Sequence, residues 1–252
     1  MGIQFQWLLI LEGILIFFAG WRILRFINHY RQTDKTKDFG DRLAYAVKQE
    51  IKNRILSTLI IREIMMYHIL FLKDKQTGNE NAYSYHKKIG YGGILGAFIF
   101  VLALEGTGVS MLLHNWNTPI AIIHLVLSIY MIVYLIADYK AIKKNPVQLD
   151  DERIIINFGL RLKANVMLQN IAAIRSGKLH YENDKRRRDI LDLTLLGLFD
   201  PPDFEIVLEE PVIVTDFLGR ETPVTKIYLS IDDSIRFLNE VNSLLEKRTL
   251  CS

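Results

Sequence analysis

The stretch GGILGAFIFVLALEGTGVSMLL, Gly92 to Leu113, is followed after only His114-Asn115-Trp116-Asn117 by TPIAIIHLVLSIYMIVYLIA, Thr118 to Ala137. Apart from Glu105, His124 and a few hydroxyls, both runs are apolar. At about 1.5 Å per residue, some 20 residues cross a hydrocarbon layer of about 30 Å, so each run is long enough to span a membrane. Lipid offers no partner to a backbone N–H or C=O, so each run must be a helix. The short connection makes them a tight transmembrane hairpin, with spans expected at 92–113 and 118–138.

Upstream, Ile3 to Ile27 forms another apolar run, interrupted by Glu12, Arg22 and Arg25. A secretory signal would place its positive charge first and end at a small-residue cleavage site. Here no Lys or Arg precedes Arg22 and Ala19-Gly20-Trp21 is a poor cleavage site, so 3–27 reads as a retained anchor. Residues 55–72 also have spanning length, but Arg62 and Glu63 occupy their centre, and a charged pair at mid-membrane is costly. Positive charge arbitrates. With three spans and the N-terminus outside, the outer segments 1–2 and 114–117 hold no Lys or Arg; a fourth span would place both Lys73–Lys88 and Lys140–Lys144 outside. Three spans are therefore expected, with four as the alternative. Residues 38–72 then form a cytoplasmic, amphipathic helical segment, with Leu43, Val47, Ile51, Ile55 and Leu59 as an apolar stripe on the inner leaflet or against a neighbouring element.

Composition narrows the class. Half of the 252 residues are apolar, 23% are charged, and there are 6 Pro and 15 Gly, which excludes disordered and collagen-like chains. The single cysteine, Cys251, excludes a disulfide scaffold and a thiolate zinc site. Near Pro146 the balance turns acidic, and the sequence divides into a membrane region, 1–145, and a second domain, 146–252. Arg153–Phe158 is rich in β-branched residues and ends at Gly159. Asn165–Leu168, Ile171–Ile174 and Leu191–Leu196 are further strand candidates. Phe204–Leu208, Val212–Phe217 and Val224–Ile231 read as a meander of three strands, with Leu218-Gly219 as a turn. Asp232 or Asp233 then caps a helix whose apolar face is Ile235, Phe237, Leu238, Val241, Leu244 and Leu245. Short antiparallel strands closed by a terminal helix make a small barrel or sandwich.

The run Pro146-Val-Gln-Leu-Asp-Asp-Glu-Arg-Ile-Ile-Ile-Asn-Phe-Gly159, with Val166-Met-Leu-Gln-Asn-Ile171 and Leu229-Ser-Ile-Asp-Asp-Ser-Ile-Arg-Phe237, resembles bacterial pleckstrin-homology-like domains. The resemblance covers about 100 residues, and the hairpin before it is similar to bacterial multi-pass proteins that carry such a domain. It implies a helical membrane protein with a C-terminal α+β PH-like barrel or sandwich, at the plasma membrane of a bacterium, with that domain cytoplasmic. It brings no catalytic residues.

Three groups of residues could carry function. Under three spans Glu12, Glu105 and His124 lie at a similar depth, roughly 9 to 14 Å below the outer surface by helix rise. Two carboxylates and an imidazole at one level could hold a divalent metal or pass a proton, in a small membrane enzyme or transporter. The alternative is a structural polar network, in which Ser128 serves Glu105. The second group is basic: Arg175, Lys178, Lys185, Arg186, Arg187 and Arg188, suited to anionic headgroups or a membrane-protein partner. Nucleic acid is excluded as a partner by the acidity of the domain that carries these residues. The third, Arg62-Glu63 with His68 and His86-Lys87-Lys88, lacks metal-ligand spacing and reads as a salt bridge or membrane-surface contact. Gly92 and Gly96 would admit close helix approach in a homo-oligomer. No P-loop, dinucleotide fingerprint or Gly-x-Ser-x-Gly elbow is present. The expected role is non-enzymatic, with the lipid bilayer and a protein or headgroup as partners and no cofactor beyond that metal.

Overall fold

The computed structural model describes residues 21, 24–34, 39–71, 81–177, 179, 181–184, 187–196, 201–216 and 220–249. The chain divides into two compact units, Met1–Met65 and Met66–Ser252. In the first, residues 24–32 are helical and α1 spans Phe39–Glu50. Arg42 ties the two together: its guanidinium lies 4.3 Å over the Tyr30 ring and donates to the Tyr30 carbonyl. The helix expected over 38–72 is two helices, α1 and α2 (Arg54–Phe71). The reason is Asn53, whose side chain accepts from the Leu56 N–H at 3.0 Å and caps α2. The break splits the stripe: Leu43 and Val47 are buried, whereas Ile55 is 57% exposed. Almost all of the expected span 3–27 lies outside the described residues.

In the second unit the hairpin forms as expected. Helix α3 (Tyr91–Trp116) and helix α4 (Thr118–Lys144) are the two helices long and apolar enough to cross a membrane among the described residues. Asn117 makes the turn: its side chain accepts from the Ile120 N–H, and Pro119 occupies the first turn of α4, where a missing N–H costs nothing. The helices meet at Gly106, where a Cβ would stand 2.7 Å from the Ser128 Cβ.

The rest is a mixed sheet of eight strands: β1 (Ala82–Tyr83), β2 (Val147–Leu149), β3 (Arg153–Phe158), β4 (Leu162–Met167), β5 (Ile171–Ser176), β6 (Ile190–Leu193), β7 (Phe204–Thr215) and β8 (Glu221–Leu229). The path runs β1-β2-β3-β4-β7-β8-β6, with β5 also on β7. Strand β3 alternates in burial, with Ile154, Ile156 and Phe158 inward, and Gly159 turns the chain at φ +55°. Two features depart from the expected antiparallel meander. Strand β6 runs parallel to β8. The segments 204–208 and 212–217 are not separate strands: β7 is continuous and bulged, since Val207 faces Lys226 and Val212 faces Val224. Pro211 cannot donate to a ladder, and a bulge accommodates it. Asn170 then serves the displaced backbone, donating to the Glu210 carbonyl at 2.9 Å and accepting its N–H at 2.7 Å.

Helix α5 is a single turn, Tyr181–Asp184, and helix α6 spans Ser234–Thr249. Phe237 and Val241 are fully buried, and Phe237 stacks on Phe204 at 5.3 Å and meets Tyr83 edge-on at 5.0 Å. Ile235, expected on the same face, is 76% exposed. The composition boundary at 146 is not a boundary of the core, because Tyr83, Tyr85, Tyr91 and Leu95 belong to the same buried cluster as the strands.

Candidate functional site

The hairpin places its polar groups in pairs. Ser110 Oγ and His124 Nδ1 lie 2.9 Å apart, and Ser128 donates to the His124 carbonyl rather than to Glu105. Glu105 is exposed on the flank of α3. Glu12 lies outside the described residues. Among the described residues no group of three His, Cys, Asp or Glu side chains could hold a metal. Of the two described members of the expected trio, His124 is hydrogen-bonded to Ser110 across the two helices and Glu105 faces outward. Of the Gly92 and Gly96 pair, a Cβ at Gly92 would meet the Tyr139 hydroxyl, and Gly96 is open.

At the base of the hairpin a buried carboxylate locks helix to sheet. Asp138, 1% exposed on α4, accepts from the Leu160 N–H at 2.9 Å and from Arg161 Nε and Nη2 at 3.1 and 2.9 Å. Arg161 Nη2 also donates to the Tyr91 hydroxyl. Burial works against the Arg161 charge, but Asp138 outweighs it and raises its pKa. The Gly159 N–H donates to the Tyr85 hydroxyl, which in turn donates to the Asn157 carbonyl. Burial is the main reason the Tyr85 phenol is pushed well above its ordinary value.

A second carboxylate fixes the segment that enters α3. Asp232 accepts from the backbone N–H groups of His86, Lys87 and Lys88 at 3.2, 2.9 and 2.7 Å. Burial would raise its pKa, but these N–H groups and the Ser84 side chain together more than offset that and hold it below the usual range. Asp233 is left to cap α6 through the Arg236 N–H. Lys88 pairs with Asp203 at 2.5 Å.

The densest polar cluster lies on the outer face of the sheet. Strand register sets four residues in one row across β5, β7, β8 and β6: Arg175 opposite Glu205, Glu205 opposite Tyr228, and Tyr228 opposite Asp192. Glu205 is 1% exposed and Tyr228 fully buried. The Tyr228 hydroxyl is 2.9 Å from both Glu205 Oε2 and Asp184 Oδ2. Lys226 Nζ stands 2.6 Å from Asp184 and 3.6 Å from Glu205. Burial first, then the two carboxylates, push the Tyr228 phenol far above its ordinary value, so it stays a donor. The Lys226 hydrogen bond chiefly depresses the Asp184 pKa. The two acids, one ammonium and one phenol satisfy one another and anchor α5 to the sheet. No nucleophile or free base remains among these four groups.

This cluster reorganises the expected basic site. Arg175, its side chain 61% exposed, rests on Glu205 at 3.2 Å. Arg187, 58% exposed, is gripped by Asp189 through two hydrogen bonds of 3.1 and 2.7 Å, with Asp184 at 3.9 Å. The grip of Asp189 raises the Arg187 pKa, and Arg187 in turn lowers that of Asp189. Arg188 is exposed. Lys178, Lys185 and Arg186 lie outside the described residues. Glu205 was missed because it sits between Phe204 and Ile206 in what reads as an apolar strand. The usable signal was the alternation itself, which sends Glu205 and Tyr228 to the face opposite the core. Asp138 was missed because an acid at the end of a span reads as a solvated terminus.

No protein family, curated protein or solved structure matches this chain.

Proposed function

We propose that the chain is an integral membrane protein whose hairpin, with a third span upstream, holds a PH-like sheet domain at the cytoplasmic surface of a bacterial plasma membrane. On this reading the domain binds anionic headgroups through Arg175, Arg187 and Arg188, without carrying out chemistry. The observation that carries the binding part is the support beneath two exposed guanidinium groups: Arg175 on buried Glu205, Arg187 on Asp189 and Asp184. An arginine already oriented by a carboxylate loses less side-chain freedom when it meets an oxyanion, and its fork still has donors to offer. The membrane part is supported by apolar exposure. Phe98, Leu104, Met111, Leu112, Ile122 and Ile123 are each more than half exposed on the hairpin, a surface suited to acyl chains.

Binding would be tested with the full chain in zwitterionic nanodiscs, challenged with vesicles rich in phosphatidylglycerol. A basic residue near an anionic surface contributes about 1 kcal/mol. Arg187→Ala with Arg188→Ala is therefore expected to weaken vesicle capture roughly thirtyfold at low salt. Capture that is unchanged in this variant, or equal on neutral vesicles, would remove the headgroup reading and leave a membrane-protein partner.

A further inference from the structure

One exposed face of α3 carries a seam. Ile94, Phe98, Val101, Glu105, Gly108 and Leu112 recur at alternating spacings of four and three residues, which keeps them on one stripe of a helix. No described residue covers the stripe: Ile94 is 46% exposed, Phe98 53%, Val101 54% and Leu112 72%, and Glu105 and Gly108 are exposed with them. A Cβ at Gly108 would meet nothing within 4 Å. The seam lies about 110° around the helix from the face formed by Tyr91, Leu95, Gly106 and Ser110, which is buried.

We propose that this seam is an interface between two copies of the chain, packed in parallel about a two-fold axis along the membrane normal. The inference rests on the membrane reading above. Glu105 lies near the middle of a 26-residue helix. That places it roughly 16 Å along the axis from Trp116, deep within a hydrocarbon layer about 30 Å thick. A carboxyl facing acyl chains at that depth is costly, and its apolar neighbours on the seam offer it no partner. A second copy does. Copies inserted with the same topology are parallel, and each seam position then meets its own mate. Glu105 meets Glu105, and the O–H of one carboxyl donates to an oxygen of the other. The seam carries one acid and no base, so a copy of itself completes the hydrogen bond with no further residue type. A single polar residue in an otherwise apolar seam also fixes register, and Gly108, three residues along, lets the backbones approach. This places the contact on a different stripe from the Gly92 and Gly96 pair, since Gly92 is filled by Tyr139.

The test uses the full chain with Cys251→Ser and single cysteines at Val101, Gly108, Leu112, Phe100 or Ile122, oxidised in native membranes. The three seam cysteines are expected to form disulfide dimers roughly tenfold more efficiently than Phe100→Cys or Ile122→Cys, since one stripe alone faces the partner. Those controls are 64% and 57% exposed, so access does not separate the two sets. Glu105→Leu should lower seam cross-linking about fivefold, while Glu105→Gln, which can still donate and accept, retains most of it. Cross-linking that is absent at the seam, or equal at all five positions, overturns the interface; cross-linking undiminished in Glu105→Leu overturns the carboxyl pair. Carbonate extraction of the same membranes separates the two ideas. A chain that washes out fails the membrane reading, whereas one that stays but does not cross-link at the seam fails the interface alone.

Discussion

In the hairpin, only 17% and 11% of the most apolar stretches of α3 and α4 are buried; in the sheet and the helix packed on it, Ile154, Ile156, Ile206, Ile227 and Phe237 have no exposure at all. The same residue types are used in opposite ways. In the sheet they are hidden from water, and the hydrophobic effect supplies the drive. In the hairpin they face outward, and the helices join through close approach at Gly106 and one Ser110–His124 hydrogen bond. The polar groups divide likewise. Glu205 and Asp184 on the sheet, and Asp138 at the foot of α4 where it meets the sheet, are satisfied from several sides, whereas Glu105 midway along α3 faces outward. Each region is consistent with a different solvent, and substitutions can ask whether that is so.

The largest expected effect compares two phenylalanines. Phe237→Ala removes a ring packed between Phe204 and Tyr83 and should cost about 3–5 kcal/mol, read as a fall in the melting temperature of the purified chain. Phe100→Ala, on a ring 64% exposed, should leave that transition within about 0.5 kcal/mol. Equal losses would mean that the hairpin face is packed like a core, and the contrast would fail.

Next comes the joint between the regions. Asp138→Asn keeps the shape but removes the charge that holds Arg161 and weakens the acceptor for Leu160. A broken buried pair costs about 3–5 kcal/mol, and the lower end applies because the Arg161 side chain is a third exposed. Arg161→Met alongside Asp138→Asn should recover part of the loss, since no uncompensated charge is left. A double variant no better than the single one would show that the pair is not what joins hairpin to sheet.

Which elements were legible in the sequence follows from how local their causes are. The hairpin, β3 with its Gly159 turn, and α6 are written in consecutive residues: two apolar runs, a β-branched run, an Asp before an apolar helix. The bulge in β7 is not, because the residue that stabilises it, Asn170, lies 40 positions away. A proline among acids therefore reads as a break between strands. The parallel pairing of β6 with β8 depends on chain path, and β1 has only two residues. The polar sites divided similarly. The exposed arginines were visible as charge, but Glu205 beneath Arg175 and Asp138 beside Arg161 were not, since an acid is read as solvated until the fold shows what faces it. Asn170→Ala should accordingly cost about 1–2 kcal/mol, for two lost hydrogen bonds at an exposed bulge. An unchanged melting temperature would show that water replaces the amide there.

The smallest effect concerns pH, at the entry to the hairpin. His86 Nδ1 is buried and finds no hydrogen-bond partner among the described residues. Its ring meets Tyr139 edge-on at 6.2 Å. Burial lowers its pKa below 6.5, Asp232 works the other way, and Lys87 and Lys143 add to the lowering. In the unfolded chain this histidine takes up its proton near 6.5, whereas the folded chain resists protonation until the pH is lower. Its contribution to stability is therefore complete above 6.5 and is lost as pH falls from there through the folded value. His86→Gln should flatten the fall in stability below about pH 6.5 that His86 supplies, with the other histidines common to both proteins. Parallel profiles for the two proteins would show that water reaches Nδ1. The base of the hairpin would then be hydrated, and the boundary between the two solvents would lie further up α3 than Tyr91.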